Sequence, residues 1–373
     1  MTKNRLFSGS DLWTVLQNTR LPIVMYGMGN GADKILEVLD KKEVAVSDFF
    51  ASDGFVRGHS FHGKRVLSFE EIQEKYGNFL ILLAFGSSLA NVMENIRSLA
   101  EQYPLYAPDV PVCGGELFDI GFYRENLSLI EKARTLFADD LSRSVFDDII
   151  SYKLSGNISH LHHADSPKRE ALTGILSGGY TAYADLGAYT GDTVRETVES
   201  FPSIREMVAF EPSAKPYRKL TALCETLDGI RCRLYPLCAW ENQSELLLAD
   251  GSGRNSSVDM TASHTGKTEN GAIFHKSACD SLDHKAHFSG EKLLIKYDVE
   301  GSEREAFLGS LTTIAKNRTE LIVSVYHKSR DLFELPLLIH EKMPTHRLFL
   351  RKHPHIPAWD INLYVCESKV PSE

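Results

Sequence analysis

The residues that could do chemistry stand at the ends of two neighbouring predicted strands. The stretch YADLGAYTGDT (183–193) runs from a strand into a glycine turn, and VAFEPS (208–213) closes the next strand with Glu211. In open α/β sheets, ligands bind outside the carboxyl ends of the strands. A carboxylate there can accept both hydroxyls of a ribose, and each charge-assisted hydrogen bond contributes about 1.5–3 kcal/mol. The two motifs together predict a pocket for a nucleoside-like ligand.

The glycine turn narrows the choice of nucleoside. Its spacing is D-x-G-x-x-x-G, formed by Asp185, Gly187 and Gly191, and it lacks the G-x-G-x-x-G that seats a pyrophosphate on a helix end. The glycines remove Cβ atoms that would block a ligand, while Asp185 would repel a phosphate and attract an ammonium or sulfonium group. S-adenosylmethionine carries a sulfonium, an amino group and a ribose diol, so it fits best. The alternative is an ordinary βα turn with a solvated acid.

Further candidates follow the later strands. The third strand, in IRCRLYPLCAW (230–240), ends near Cys238 and Ala239, which we expect to approach an adenine ring. S-adenosylmethionine is a methyl donor, so an enzyme that uses it must align the acceptor with the methyl group and, if the acceptor is a hydroxyl, remove its proton. Carboxylates or a histidine can do this, and such side chains stand at the predicted carboxyl ends of two more strands: Asp298, Glu300 and His327.

Asp298 is the expected acceptor orienter or base, and His327 is a competing base. Three structural alternatives stay open. Glu300 could cap the helix that begins near Ser302, His327 could be a polar strand-end residue, and Lys296 could be a pairing partner inside its strand.

The sequence does not support a metal. A divalent cation could bridge carboxylates and acceptor oxygens, but no D…D-N pattern with ligand spacing is present. The histidines of HLHH (160–163) lie in a polar, turn-rich segment that we expect to be exposed and solvated. His353 and His355, before the last predicted strand, could line an acceptor pocket.

The elements that must position these residues are apolar strands alternating with amphipathic helices, which is typical of α/β proteins. The pattern starts twice, at LPIVMYGMGNG and at TAYADLGAYTG. We therefore predict a smaller Rossmann-like α/β domain at 1–120, a helical connector at 121–178 with a helix break near 138–140, and a doubly wound sheet at 179–373.

The amino-terminal half has a fingerprint of its own. Gly27, Gly29 and Ala32 follow a strand in a G-x-G-x-x-A arrangement, and an acid comes about 20 residues later at Asp48, with Asp53 further on. Gly27, Gly29 and Asp53 are the candidate ligand residues. The stretch also resembles the small Rossmann-like modules fused to sugar-modifying enzymes. Nucleotide binding, hydride chemistry and a scaffolding role all stay open here.

Three motifs in order carry a family resemblance: DLGAYTGDT, FEPSAKPYRKL and LIKYDVEGSEREAFLG, with CDSLD (279–283) ahead of the last. Residues 180–366 resemble the FkbM-type S-adenosylmethionine-dependent methyltransferases. The resemblance implies a class I methyltransferase sheet and O-methylation of a sugar, glycan or natural-product hydroxyl. It implies that Asp298 and Glu300 face the acceptor, that Glu211, Pro212 and Ser213 hold the adenosine, and that the glycine turn surrounds the methionine part. Those turn residues are Asp185, Gly187, Ala188, Tyr189, Gly191, Asp192 and Thr193.

Composition excludes some classes. The 373-residue chain has a net charge of −9, which argues against nucleic acid as a partner, as does YDVEG in place of an N/D-P-P-Y/F turn. It has no apolar run that would span a bilayer and no start typical of a secretion signal. Its six cysteines form no CxxC pair, which predicts free thiols and a cytoplasmic location. The oligomeric state cannot be read from the sequence.

Three functions therefore remain. The first is an S-adenosylmethionine-dependent O-methyltransferase with a small-molecule or glycan acceptor. The second is an NAD-dependent oxidoreductase that uses the amino-terminal half. The third is a non-catalytic module that binds S-adenosylmethionine.

Overall fold

The computed structural model describes residues 9–56, 58–111, 113–250, 266–267 and 273–367; the side chains at 53, 247–250, 266–267 and 273–275 are not described. No helix within these ranges is both long and apolar enough to cross a membrane.

Residues 9–111 form a four-stranded parallel sheet, the small sheet, in the order β2-β1-β5-β6. The elements in chain order are α1 (Leu12–Asn18), β1 (Ile23–Tyr26), α2 (Asn30–Lys41), β2 (Asp48–Phe50), a 3₁₀ turn (Asp53–Phe55), β3 (Ser60–Phe61), β4 (Lys64–Arg65), α3 (Phe69–Tyr76), β5 (Leu80–Leu83), α4 (Ala90–Gln102) and β6 (Leu105–Tyr106). Helices α1 and α2 pack on one face of the sheet, and α3 and α4 pack on the other.

Four helices follow: α5 (Ile120–Leu136), α6 (Asp140–Ser155), α7 (Ser159–Ala164) and α8 (Lys168–Ile175). The chain leaves the helical state at 137–139, where Asp139 caps α6. The expectation that the HLHH segment is exposed is wrong in part. It forms α7, whose Leu161 and Ala164 share one face and are buried. The many polar residues around this short apolar face hid it in the sequence.

The rest of the chain forms a seven-stranded sheet, the large sheet, and a short accessory sheet of β10, β11, β12 and β13. Its elements are β7 (Ala182–Leu186), α9 (Asp192–Ser200), β8 (Glu206–Phe210), α10 (Ala214–Cys224), β9 (Arg231–Tyr235), β10 (Cys238–Ala239), β11 (Ser244–Asp250), β12 (Gly266–Lys267), β13 (Ile273–Asp280), α11 (Leu282–Lys285), β14 (Lys292–Tyr297), α12 (Glu303–Leu308), α13 (Leu311–Lys316), β15 (Arg318–Ser324), α14 (Asp331–Lys342), β16 (His346–Lys352) and β17 (Ile361–Glu367).

The seven-stranded sheet has the order β16-β17-β15-β14-β7-β8-β9. Strand β17 is antiparallel to both neighbours, and the pairs from β15 to β9 are parallel. The chain order reverses between β7 and β14, and this switch point is where open α/β sheets bind ligands. The doubly wound sheet with a closing antiparallel hairpin is as predicted.

Both sheets are buried on both faces, as continuous apolar strands require. Along β14, Leu293 and Ile295 face one core while Leu294 faces the other, following the two-residue period of a strand. The larger core is shared: it runs from Val24 of β1, through the buried faces of α5 and α6, to Ile295.

The carboxyl edge of the small sheet contacts the carboxyl-terminal half directly. Ser87, after β5, exchanges backbone hydrogen bonds of 2.8 and 3.0 Å with Ile356. In a separate contact, Arg330 pairs with Glu116 at 2.5 Å, and its guanidinium lies over the ring of Phe122. The Ser87–Ile356 hydrogen bonds hold the segment after β5 against the chain before β17, and Ser88 reaches the cavity at the switch point of the large sheet.

Candidate active site

A cavity of about 310 Å³ lies at the carboxyl ends of β7, β8 and β14. Most of the predicted cofactor residues line it: Gly187, Tyr189, Asp192, Thr193, Glu211, Pro212, Ser213 and Ala239. Asp298 and Glu300 line the same space. Asp185, Ala188, Gly191 and His327 are not on its wall, although all four lie in elements that form it.

The two glycines of the turn are needed for packing. Gly187 has φ +89°, and a Cβ added there would lie 2.0 Å from the carbonyl oxygen of Asp298. Gly191 has φ +87°, and its Cβ would lie 2.4 Å from Leu223. The sequence attributes both glycines to the approach of a ligand. The contacts that exclude a side chain are instead to the protein, and only Gly187 reaches the cavity.

Asp185 is fully buried behind the cavity wall, contrary to the picture of a solvated acid. Its Oδ2 accepts hydrogen bonds of 2.8 Å from the Tyr183 and Thr193 hydroxyls. Its Oδ1 lies 3.6 Å from Nζ of Lys296, which also donates to Asp298 at 3.2 Å. Burial alone would lower the pKa of Lys296, but the two carboxylates raise it well above its usual value. Lys296 therefore links the two acids. Because Asp185 is buried and does not line the cavity, its placement does not support the predicted direct contact with a ligand.

Glu211 stands directly after β8 and is 6% exposed. One carboxylate oxygen accepts the backbone N–H of Ser213 at 2.7 Å, and the other accepts that of Tyr189 at 2.9 Å. Burial raises the pKa of Glu211 despite these hydrogen bonds. Each oxygen can accept a further hydrogen bond, so a diol could be bound without breaking the existing ones.

The wall beyond Glu211 is mainly apolar. Phe210, Leu237, Cys238 and Ala239 line it. Cys238 and Ala239 form β10, which pairs in parallel with β13 of the accessory sheet. This pairing holds the end of the third-strand region beside the cavity, where the sequence predicted it.

Asp298 and Glu300 lie on the opposite wall. The Asp298 side chain is 30% exposed and accepts a 2.9 Å hydrogen bond from Ser324. Burial would raise the pKa of Asp298, but Lys296 and His327 hold it at about 2. Glu300 has a left-handed backbone, φ +52°, which is uncommon for a residue with a side chain. Burial raises the pKa of Glu300 to about 7.

His327 lies directly behind these two acids and is 1% exposed. Its Nε2 is 3.6 Å from Asp298 Oδ1 and 3.5 Å from Glu300 Oε2, and its Nδ1 is 2.8 Å from Glu303 Oε1. Burial would lower the pKa of His327, but the surrounding carboxylates, Glu303 first, raise it to about 10. His327 is therefore a buried residue beyond the end of β15 that does not line the cavity, and the acids beside it make it more than a polar strand-end residue.

Glu303 binds the turn before α12, and the helix cap that the sequence left open for Glu300 is not formed, because the N-cap residue is Ser302 and no side chain caps this helix. Glu303 Oε1 accepts the N–H groups of Val299 at 2.9 Å and Gly301 at 3.4 Å. Glu303 opens α12, so an acid in the first turn of a predicted helix was the signal that could have identified it.

Several lining residues were not predicted: Ser88, Lys168, Trp359 and Asp360. His355 lines the cavity as one of the open alternatives, and its ring stacks on Trp359 at 5.1 Å between centroids. His353 does not. It is buried between the Ser166 carbonyl and the Tyr364 hydroxyl. A tryptophan close to His355 was the available signal, whereas Ser88 had none.

The amino-terminal fingerprint is only partly assembled. Gly27 and Gly29 lie between β1 and α2, but the Phe85 ring is 3.0 Å from where a Cβ of Gly27 would be. Asp48 is the first residue of β2, at the opposite end from the glycine turn, and it is bound to Lys75 and Tyr76. Asp48 has the spacing of the fingerprint acid but does not lie beside the glycine turn, where that acid is required. The Asp53 side chain lies outside the described residues.

Comparison with family models and with curated protein sequences gives no match. Among solved structures, the methyltransferase FkbM from Methylobacillus flagellatus KT matches with a TM-score of 0.70 and 17% identity, covering 92% of this chain and 89% of that chain. An rRNA methylase from Streptococcus thermophilus matches with a TM-score of 0.31 and 10% identity, over 56% of this chain and 95% of that chain. The S-adenosylhomocysteine-bound methyltransferase PaMTH1 of Podospora anserina gives 0.30 and 11%, over 75% and 97%.

Only the first of these matches is close enough to support an argument, and at 17% identity it concerns the fold. The large sheet is the class I methyltransferase sheet, and the smaller Rossmann-like part is shared as well. The predicted fold class is confirmed, and the resemblance to the FkbM type is confirmed at the level of the fold. It extends beyond residues 180–366 to 92% of the chain.

Proposed function

We propose that this protein is an S-adenosylmethionine-dependent O-methyltransferase that acts on a hydroxyl of a sugar, a glycan or a small natural product. The observation that carries the proposal is Glu211, a buried carboxylate at the end of β8 that faces a cavity at the switch point of the sheet. The likeness of fold to an FkbM methyltransferase supports it.

The residues of the cavity suit this cofactor. Glu211 can accept the ribose hydroxyls, and the apolar wall of Leu237 and Ala239 suits adenine. Thr193 and the carboxylate of Asp192 lie at the start of α9, on the side left for the methionine part. When bound, S-adenosylmethionine supplies an electrophilic methyl group on its sulfonium.

The acceptor side is formed by Asp298 and Glu300. Lys296 and Ser324 fix the Asp298 carboxylate at the cavity wall, so it can orient an acceptor hydroxyl or take its proton. His327 lies behind both acids and acts through them, as a positioning residue, in place of the competing base that the sequence suggested.

The outer wall suits a hydroxyl-rich acceptor. The stacked His355 and Trp359 rings present a flat apolar surface, and Ser88 and Asp360 add polar groups beside it. Because Ser88 follows β5, the amino-terminal part contributes to the acceptor side, which favours a scaffolding role for it over hydride chemistry.

Calorimetric titration tests the cofactor. The wild-type protein is expected to bind S-adenosylmethionine and S-adenosylhomocysteine, and Glu211→Ala to bind them at least about 100-fold more weakly, because two charge-assisted hydrogen bonds are lost. Glu206→Ala is the matched control. It removes a glutamate from the other end of β8, where Glu206 pairs with Arg233.

Binding of NAD alone, unchanged in Glu211→Ala, would reject the methyltransferase and favour the oxidoreductase. If S-adenosylmethionine binds, transfer of a labelled methyl group to a panel of sugars and hydroxylated natural products tests the acceptor class. Tight binding with no transfer to any hydroxyl would favour the non-catalytic module.

A further inference from the structure

Behind the acceptor wall, four acids surround one histidine at the ends of β14 and β15. His327 Nε2 lies between Asp298 Oδ1 and Glu300 Oε2, at 3.6 and 3.5 Å, and Nδ1 meets Glu303 at 2.8 Å. The carboxylate of Asp331, at the start of α14, accepts the Lys328 N–H close by. We define these five residues as the acid–histidine cluster.

Two atoms of the cluster are buried and lack a hydrogen-bond partner within the described part of the chain: His327 Nε2 and Glu303 Oε2. Both side chains are 1% exposed. Buried polar atoms without partners are uncommon, because each costs the free energy of its lost hydration. Here one atom is a ring nitrogen and the other a carboxylate oxygen, and both are types that ligate metals.

The charge of the cluster points the same way. Lys296 pairs with Asp298, but it is shared with the fully buried Asp185. Asp298, Glu300, Glu303 and Asp331 thus share one imidazole, part of the Lys296 ammonium group and the Lys328 ammonium group, whose charge acts on Asp331. The four acids still outnumber these cations, and a partly buried excess of negative charge requires compensation by protons or by a cation.

We propose that Asp298, Glu300 and His327 bind a divalent cation through the Nε2 atom of His327, which lies 3.6 Å from Asp298 Oδ1 and 3.5 Å from Glu300 Oε2. Glu303, which has an oxygen within 4.8 Å of ligand atoms of Asp298 and His327, holds the ring from its Nδ1 side. Ligands on opposite sides of a cation that they contact at about 2.1 Å are about 4.2 Å apart, so small side-chain movements suffice. Carboxylate oxygens with one imidazole suit Mn²⁺ or Mg²⁺.

The surroundings of His327 are those of a metal ligand. The Nδ1–H directed at Glu303 Oε1 leaves the lone pair on Nε2, which faces Asp298 and Glu300. The left-handed backbone of Glu300 is the kind of strain that collects at functional sites. A proton on Nε2 is the competing occupant, and in that case His327 forms an ion pair with the acids.

The role of the cation, though not its binding, rests on the proposed function. Asp298 and Glu300 line the cavity from one side and the cluster from the other, so a cation there would lie next to an acceptor hydroxyl and favour loss of its proton. The sequence showed no metal motif because the ligands come from two separate segments, the turn after β14 and the chain that follows β15.

The test is binding of MnCl₂ to the full chain without cofactor. Calorimetry and the loss of the electron paramagnetic resonance signal of free Mn²⁺ both measure this binding. One Mn²⁺ per chain is expected for the wild type. His327→Ala and Asp298→Asn should each weaken binding about 10- to 100-fold or more. His284→Ala is the matched control, because His284 also contacts a carboxylate, that of Asp280 at 2.8 Å, and it lies outside the cluster.

Far-UV circular dichroism and S-adenosylmethionine titration identify variants that fail to fold. The variant Glu303→Gln is used in place of any variant that fails to fold. No Mn²⁺ binding by the wild type at millimolar concentration, or equal loss in His284→Ala, would overturn the metal site and leave the ion pair. S-adenosylmethionine binding is measured separately. A protein that binds the cofactor and no Mn²⁺ refutes this inference alone, whereas one that binds Mn²⁺ and no cofactor refutes the proposed function.

Discussion

At the scale of single residues, one glycine and one lysine hold the cavity together. Gly187 lets the end of β7 touch the Asp298 carbonyl, and Lys296 sits between Asp185 and Asp298. Both residues join β7 to β14, the two strands at which the chain order reverses. The positions of cavity-lining atoms therefore depend on side chains that a ligand need not touch.

The variant Gly187→Ala tests this close contact. Its methyl group would have to displace the Asp298 backbone, so we expect a loss in the free energy of unfolding that exceeds that of a matched glycine by about 1–3 kcal/mol or more. The match is Gly229→Ala, since Gly229 has φ +75° against +89° for Gly187, but no atom within 4 Å of its added Cβ. Urea denaturation measures both. Equal destabilisation would mean that backbone strain, and not the contact with Asp298, requires glycine.

At the scale of elements, helix α6 is attached to the large sheet through its first turn. Asp139 accepts the Ser142 N–H at 2.7 Å and so caps the helix, and it also pairs with Arg351 of β16 at 2.6 Å. Burial would raise the pKa of Asp139, but the hydrogen bonds from Arg351 and Ser142 lower it. The Asp139 carboxylate thus starts α6 after the non-helical residues that follow α5, and it holds α6 against the β16–β17 hairpin.

Two substitutions separate these roles. Asp139→Asn keeps a capping oxygen and loses the ion pair, whereas Asp139→Ala loses both, so we expect the alanine variant to be less stable by a further 1 kcal/mol or so. Asp140→Asn is the control, because Asp140 is fully exposed in its pair with Arg143 and should change stability little. Urea midpoints decide. Equal stability of Asp139→Asn and Asp139→Ala would show that the cap contributes nothing.

At the scale of the whole molecule, the two halves share a core. The larger apolar cluster includes Val24 of the small sheet, Phe146 of α6 and Ile295 of the large sheet. The Ser87–Ile356 hydrogen bonds and the Arg330–Glu116 pair add polar contacts between the halves. Separating the halves would expose much of this apolar surface.

We therefore expect the chain to unfold in one cooperative transition, although it contains two sheets. Far-UV circular dichroism follows all helices. In a Trp240→Phe background, fluorescence from Trp13, in the small-sheet core, and from Trp359, at the cavity, follows each half. In this background, and in its Trp13→Phe and Trp359→Phe derivatives, the urea transitions from circular dichroism and from fluorescence should coincide. Two separate midpoints would show that the halves fold independently and that the shared core couples them weakly.

The sequence by itself determined what depends on neighbours along the chain. The break before α6, the glycine turn after β7 and the positions of Glu211 and Asp298 just after strands are all local patterns, and the structure contains each of them. Only the tertiary structure decided which of these residues meet. It placed Lys296 between two acids, buried Asp185 and brought the Glu303 carboxylate to the Nδ1 atom of His327. It also placed Asp48 at the amino end of β2, and Ser88 and Trp359 on the wall of one cavity. The physical reason is that period and capping act over a few residues, whereas the order and packing of strands bring together residues that are distant in the chain, from 24 positions for Glu303 and His327 to 269 for Ser87 and Ile356 (356 − 87).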